Sequence, residues 1–134
     1  MIKRIDHIAI VVDDIDQALG FYAGTLGLQP SAVLAVPQER VKIAFLPTGE
    51  SEIELLEPTD TESGVARYLA KHGPGMHHIC LEVDDIRHSL QELADHGAQV
   101  LNQEPQVNSE GKLYAFVHPK STHGVLLELY QSPK

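Results

Sequence analysis

The chain has 134 residues, of which 43% are apolar and 22% are charged. This length and composition are typical of a single globular domain that buries its own core. The formal net charge of −9 argues against nucleic acid and anionic membrane surfaces as partners, because basic faces recognise both. The only cysteine, Cys80, excludes an intramolecular disulfide and is typical of a reducing compartment, so we expect a cytoplasmic protein.

The N-terminal stretch MIKRIDHIAIVVDD predicts a strand and is not typical of a secretory signal, because its apolar run stops at Asp13. No apolar run in the chain reaches a membrane-spanning length. A helix is predicted from Ile15 to Thr25, beginning at the Asp-Asp pair and stopping at Gly27. Three strands are predicted next, a weak one at 31–36 and stronger ones within 39–50 and at 51–58.

A connector at 59–76 contains a short predicted helix that ends at Gly-Pro-Gly. The stretch HHICLEV then predicts a strand, followed by a helix from Ile86 to His96 that stops at Gly97. The last strands are predicted at 98–103, within 112–124 and at 125–132.

The chain contains an internal repeat. Residues 6–19 (DHIAIVVDDIDQAL) align with residues 77–90 (HHICLEVDDIRHSL) at an offset of 71, and seven of the fourteen pairs are identical. Because polar residues recur in place as well as apolar ones, we interpret the match as a duplication. The identical pairs are His7/His78, Ile8/Ile79, Val12/Val83, Asp13/Asp84, Asp14/Asp85, Ile15/Ile86 and Leu19/Leu90.

Each half therefore follows the order β-α-β-β-β. We predict an α+β fold in which two tandem βαβββ modules, about residues 1–58 and 75–134, form one domain. The Asp-Asp pairs are interpreted as helix starts, since Asp side chains cap free N–H groups there. Cys80 aligns with Ala9 and is interpreted as a small buried residue.

Two glutamates lie inside apolar strands, Glu54 in IELLE and Glu128 in LLELY. A buried carboxylate is costly unless it is paired, protonated or bound to a metal. His7 and His78 stand in the corresponding first strands. Two imidazoles and two carboxylates suit one divalent ion such as Zn, Ni, Co or Mn, which acts as a Lewis acid on a carbonyl oxygen.

Each of these residues also has a simpler interpretation. A single strand histidine is more often a core or surface residue than a ligand, and a strand glutamate can face solvent. The recurrence of both types in register favours the metal site. Strand alternation turns His77 away from it. The remaining histidines are expected in helices or turns, exposed to solvent; they are His72, His88, His96, His118 and His123.

Four stretches carry a resemblance over nearly the whole chain: IDHIAIVV (5–12), ELLEP (54–58), VARYLAKHGPGMHHICLEVDDI (65–86) and HPKSTHGVLLEL (118–129). With the His/Glu quartet, they resemble the vicinal oxygen chelate superfamily, which includes glyoxalase I, extradiol dioxygenases and bleomycin-resistance proteins. Within it, the chain is most similar to the methylmalonyl-CoA epimerases.

The resemblance implies a cup-shaped, glyoxalase-like half-barrel and a homodimer. It implies one divalent metal held by His7, Glu54, His78 and Glu128, and an acyl-CoA thioester as substrate. It also implies removal of the acidic α-proton, a metal-stabilised enolate, and return of the proton to the other face by a second base.

The chain departs from the epimerase pattern at two positions. Epimerases of the best-known type carry Gln where Glu54 stands, and a non-ligand Glu where Ile43 stands. We therefore expect Glu54 and Glu128 to act as the two catalytic bases. The alternatives are a glyoxalase I type lyase, which shares the His-Glu-His-Glu set, and a non-catalytic binding protein, which usually lacks the metal residues.

The turn before the Glu128 strand contains Lys120, Ser121 and Thr122. We expect these residues to bind the substrate carboxylate or thioester, since an acidic protein needs local positive charge for an anionic ligand. The alternative is that PKSTHG is only a loop.

Overall fold

The structure is a computed structural model that describes residues 1–133, with three α-helices and eight strands in that range. It divides into two compact units. The first unit is His7–His77, and the second unit is Met1–Asp6 together with the chain from His78 onward. The predicted α+β class and the repeated βαβββ order are confirmed. None of the helices in residues 1–133 is long and apolar enough to cross a membrane.

The first unit builds a sheet with the strand order β2-β3-β4-β1. Strands β1 and β4 run parallel, while β2/β3 and β3/β4 are antiparallel. The elements are β1 (Ile2–Val11), which belongs to this unit from His7 onward, α1 (Ile15–Leu19), β2 (Ala32–Val36), β3 (Val41–Thr48), β4 (Ser51–Pro58) and α2 (Gly64–His72).

The second unit repeats this pattern with the strand order β5-β8-β7-β6. Strands β5 and β8 run parallel, while β7/β8 and β6/β7 are antiparallel. The elements are β5 (Gly75–Val83), which belongs to this unit from His78 onward, α3 (Ile86–Asp95), β6 (Gln106–Val107), β7 (Leu113–Val117) and β8 (Leu127–Gln131).

The second aspartate of each Asp-Asp pair caps a helix. Asp14 accepts a hydrogen bond from the backbone N–H of Gln17, at 3.1 Å, and Asp85 accepts one from His88, also at 3.1 Å. Both caps have extended backbone, as N-cap residues do. The interpretation of these pairs as helix starts is confirmed.

The first residue of each capped helix is tied to the sheet by a second repeated contact. The backbone N–H of Ile15 donates to Glu57 Oε1 on β4, at 2.8 Å. The backbone N–H of Ile86 donates to Gln131 Oε1 on β8, also at 2.8 Å. These bonds satisfy N–H groups that have no partner within the helix, and they set where each helix leaves the sheet.

Apolar side chains cover both faces of the first unit's sheet, since α1 packs on one face and α2 on the other. The α1 face holds Val12, Ile15, Ala44, Leu46 and Leu55. The opposite face holds Ala9, Val41, Ile43 and Leu56, with Val65 of α2 packed against them. In the second unit, α3 covers one face of the sheet over Val83, Ile86, Leu90, Ala115 and Leu129.

Two predicted elements differ in the structure. The α-helix that begins at Ile15 ends at Leu19 and continues as a π-helical turn over Gly20–Thr25. This turn contains two glycines, which have low α-helix propensity.

The strand predicted at 98–103 is wrong, because the pairing strand lies at Gln106–Val107. In the predicted range only Val100 forms an isolated bridge, to Val117. The side-chain oxygen of Asn102 accepts the N–H of Phe116, at 3.0 Å, so a side chain takes the place of a ladder partner.

Candidate metal and active site

The first unit brings one predicted histidine and one predicted glutamate together. His7 lies on β1 and Glu54 on the parallel strand β4, where Ala9 is the register partner of Glu54. His7 Nδ1 is 3.2 Å from Glu54 Oε2, and the two side chains are only 10% and 12% exposed. An imidazole from β1 and a carboxylate from β4 therefore lie side by side in a position with little access to water.

The second unit repeats the same arrangement. His78 lies on β5 and Glu128 on the parallel strand β8, where Cys80 is the register partner of Glu128. His78 Nε2 is 3.0 Å from Glu128 Oε1, with side-chain exposures of 10% and 15%. Since Cys80 corresponds to Ala9 in the repeat, the duplication is kept in the strand register as well as in the sequence.

The donor atoms of each pair suit a divalent metal ion. Nitrogen and oxygen ligands lie about 2.0–2.2 Å from zinc, so two ligands of one ion are about 3.0–3.5 Å apart in octahedral or tetrahedral geometry. The observed separations of 3.2 Å and 3.0 Å are compatible with that spacing, and they are also ordinary distances for a hydrogen bond between imidazole and carboxylate. Burial also favours such a role, because a carboxylate with little solvent needs a cationic or hydrogen-bonding partner.

The two adjacent histidines of β5 have different neighbours. His77 packs against the Tyr68 ring of α2, with ring centroids 5.0 Å apart. His78 is buried and lies beside Glu128. The alternation predicted for a strand therefore separates the proposed ligand from its neighbour in sequence.

An aromatic residue accompanies each glutamate, and neither aromatic residue was among those predicted for the site. Phe116 is the register partner of Glu128, and its ring is perpendicular to that of His78, with centroids 5.6 Å apart. In the first unit, Phe45 is the register partner of Glu54. The offset of 71 that relates the two histidines also relates the two phenylalanines. The recurrence of Phe at this position of the repeat could therefore have identified both residues from the sequence.

The loop expected to bind substrate uses its hydroxyls internally. Lys120 and Ser121 lie in a 3₁₀ turn, where Ser121 Oγ accepts the N–H of Gln99 at 2.8 Å. Thr122 Oγ1 donates to the carbonyl oxygen of Val125. Both hydroxyls therefore stabilise the loop itself, as the alternative interpretation of PKSTHG predicts. The side chain of Lys120 is exposed. A substrate-binding role for the three residues stays a prediction.

The cysteine and four of the five other histidines lie as expected, whereas His118 is less exposed than predicted. His118 is half-buried, and its Nδ1 accepts the N–H of Lys120 at 2.9 Å. Cys80 is fully buried. The remaining exposed histidines are His72, His88, His96 and His123.

A family model described as the Glyoxalase/Bleomycin resistance protein/Dioxygenase superfamily matches residues 6–116. The match includes β1 from Asp6 onward, the whole first unit, and the second unit from His78 to Phe116. It therefore covers three of the four predicted ligands, all except Glu128.

Named relatives are similar over almost the full chain. An ethylmalonyl-CoA/methylmalonyl-CoA epimerase from Cereibacter sphaeroides is 40% identical, covering 98% of this chain and 99% of that protein. A mitochondrial methylmalonyl-CoA epimerase from Homo sapiens is 38% identical, covering 96% of this chain and 74% of that protein. The structure is also similar to a Streptomyces coelicolor methylmalonyl-CoA epimerase variant in complex with 2-nitronate-propionyl-CoA. That comparison has a TM-score of 0.89, 37% identity, and coverage of 98% and 96% of the two chains.

Proposed function

The chain belongs to the glyoxalase/bleomycin resistance/dioxygenase superfamily, and from this membership we propose that it is an epimerase of methylmalonyl-CoA or a closely related acyl-CoA. Relatives that carry this name are 38% and 40% identical over nearly the whole chain. The observation that carries the proposal is the repeated buried His/Glu pair, present once in each unit at the same register position.

We propose that His7, Glu54, His78 and Glu128 hold one divalent ion. The proposal rests on the family resemblance and on the donor spacing within each pair. When bound, such an ion supplies Lewis acidity that stabilises negative charge developing on the thioester oxygen. The donor set of two nitrogens and two oxygens is compatible with Co, Zn, Ni or Mn.

Inversion of the α-carbon needs one group that removes a proton and another that returns a proton to the opposite face. We propose Glu54 and Glu128 for these roles, one starting as the carboxylate and the other as the carboxylic acid; the glutamate that carries the proton would not hold the ion in that state, because a ligand carboxylate must be deprotonated. Each turnover exchanges their protonation states, so the enzyme is ready for the reverse direction. Ile43 is 5% exposed and lies in the apolar cluster of the first unit, so it contributes no proton.

The test combines metal analysis of the purified protein with solvent deuterium exchange into methylmalonyl-CoA. We expect about one divalent ion per chain and exchange of the α-proton together with inversion. Metal without exchange would contradict the epimerase proposal.

A glyoxalase I type reaction is the second candidate, favoured by the His-Glu-His-Glu donor set. Turnover of the methylglyoxal–thiol adduct by the same preparation, without exchange into methylmalonyl-CoA, would select it. Both reactions move a proton on the carbon next to a carbonyl group. The two candidate functions are therefore distinguished by which substrate is turned over, not by the metal ligands.

A homodimer and a cytoplasmic location complete the proposal. The first rests on the family resemblance and the second on the single cysteine. Light scattering coupled to size-exclusion chromatography is expected to give a mass near twice 14.7 kDa.

A further inference from the structure

The two units differ on the sheet face that carries the His/Glu pair. In the first unit, this face is apolar beside Glu54. Strand β3 contributes Val41 and Ile43, β4 contributes Leu56, and Val65 of α2 packs against them. These side chains are at most 6% exposed apart from Val65, and they offer no polar group to a ligand.

The corresponding positions of the second unit are polar. The repeat offset of 71 places Lys112 and Tyr114 where the first unit has Val41 and Ile43. The strand register agrees, since Tyr114 pairs with Tyr130 just as Ile43 pairs with Leu56. The apolar filling of the first unit is therefore replaced by two phenols and one ammonium group.

Lys112 is held in place by its neighbours. Its Nζ lies 4.9 Å from the centroid of the Tyr130 ring, over the ring face, a position that favours a cation. The Tyr130 hydroxyl donates to Asp6 Oδ1 at 2.9 Å, which fixes the ring below the ammonium group.

The ammonium group of Lys112 is partly buried, with a side chain 29% exposed. Burial acts to lower the pKa of Lys112, but the contact with Tyr130 and the nearby acidic groups outweigh it and raise the pKa above its ordinary value. Glu110 Oε2 lies 3.8 Å away on a side chain that is 65% exposed, so this pair is weak. A stronger anion can replace it.

Lys112 lies over Tyr130, which shares a sheet face with Glu128. Tyr130 and Glu128 are two residues apart on β8, hence on the same face and about 7 Å apart along the strand. A base that contacts the α-carbon lies about 3 Å from it, and the carboxylate on that carbon extends a further 2–3 Å or so. The carboxylate can therefore extend from Glu128 toward Tyr130, the residue whose ring carries the ammonium group of Lys112.

We propose that Lys112 is a specificity-determining residue that binds the carboxylate of a malonyl-type acyl-CoA and so selects such substrates over simple acyl-CoA esters. This inference rests on the proposed function. Lys112 also supplies the local positive charge that an anionic substrate needs in a protein of net charge −9.

The test measures binding of malonyl-CoA and propionyl-CoA to the metal-loaded protein by calorimetry. These ligands share the CoA group and differ in the carboxylate. We expect the wild type to prefer malonyl-CoA by at least tenfold. Lys112→Met should remove most of this preference by weakening malonyl-CoA alone, while Lys112→Arg should retain part of it because the charge remains.

The control is Lys42→Met, which removes another strand lysine. Lys42 lies on β3 between Val41 and Ile43, so alternation turns it to the other face, and the preference should be unchanged. Lys112 packs over the Tyr130 ring, so its replacement could affect folding. Lys112→Gln is therefore measured in parallel, and thermal unfolding shows which variants are folded. The proposal requires the same loss of preference in every folded variant.

Two results would overturn the inference. If Lys112→Met weakens the binding of both esters equally, the lysine contacts the CoA phosphates that they share. If the variant keeps both affinities of the wild type, the lysine has no role in binding. A wild type that binds the esters equally and catalyses no exchange would instead overturn the proposed function.

Discussion

The ring of Phe116 meets the ring of His78 edge to face, at 90° and with centroids 5.6 Å apart. Such a contact is favourable because the positive edge of one ring meets the negative face of the other. We expect this contact to limit rotation of the imidazole and to keep Nε2 directed toward Glu128, 3.0 Å away. Phe116 is therefore predicted to position a proposed metal ligand.

Replacement of Phe116 by leucine should leave the chain folded but weaken metal binding. Removal of a hydrogen-bonding group that orients a metal ligand lowers metal affinity by about 10- to 100-fold, and a packing contact is expected to matter less. We expect a loss at the lower end of this range, measured by competition with a chromogenic chelator. Phe21→Leu is the control, since Phe21 is 55% exposed and belongs to the first unit. Equal affinities of the two variants would show that Phe116 does not orient His78.

His7→Ala and His78→Ala should each reduce the bound metal to well below one ion per chain. Each removes one nitrogen donor and leaves a buried carboxylate without its imidazole neighbour. Metal content after dialysis is the measurement, with the exposed His88→Ala as control. If either variant keeps full metal content, that histidine is not a ligand.

Glu54→Gln separates proton exchange from inversion. If Glu54 and Glu128 are the two bases, this variant keeps one of them and should still exchange the α-proton of one epimer with solvent. Inversion should fall by about 10²- to 10⁴-fold, the usual contribution of a general acid or base. Deuterium incorporation and epimer ratio are followed in the same sample, with Glu62→Gln as an exposed control and metal content measured for both. Inversion at the full rate would exclude Glu54 as a required base.

Tyr130 should ionise only at unusually high pH. Burial and the hydrogen bond to Asp6 raise the pKa of its phenol above the ordinary value. A group with a raised folded-state pKa contributes stability that is complete below its unfolded pKa and is lost as pH rises through the folded pKa. Stability should therefore decline on the alkaline side, above the ordinary tyrosine pKa.

The ultraviolet titration difference between wild type and Tyr130→Phe isolates this phenol. Asp6→Asn should shift the Tyr130 transition to lower pH, because the carboxylate that disfavours the phenolate is removed. An unshifted transition in Asp6→Asn would show that burial alone accounts for the raised pKa.

The sequence alone was sufficient for the duplicated βαβββ order and for the recurrence of one histidine and one glutamate in each half. These features are local, because strand alternation, helix caps and the identity of recurring polar residues can all be read within short windows. The same reasoning predicted a strand at 98–103, and there it was wrong. A side chain, Asn102, takes a hydrogen bond that the pattern had assigned to the ladder.

The amino-acid sequence thus determined which residues recur, while the tertiary structure decided which of them meet. That Phe116 faces His78 and that Lys112 lies over Tyr130 both depend on the register between β7, β8 and β5. A shift of one residue between strands turns every side chain to the other face, so such contacts exist only once the hydrogen-bonded ladders and the packed core have selected a single register. For that reason the polar face of the second unit became visible only in the folded chain.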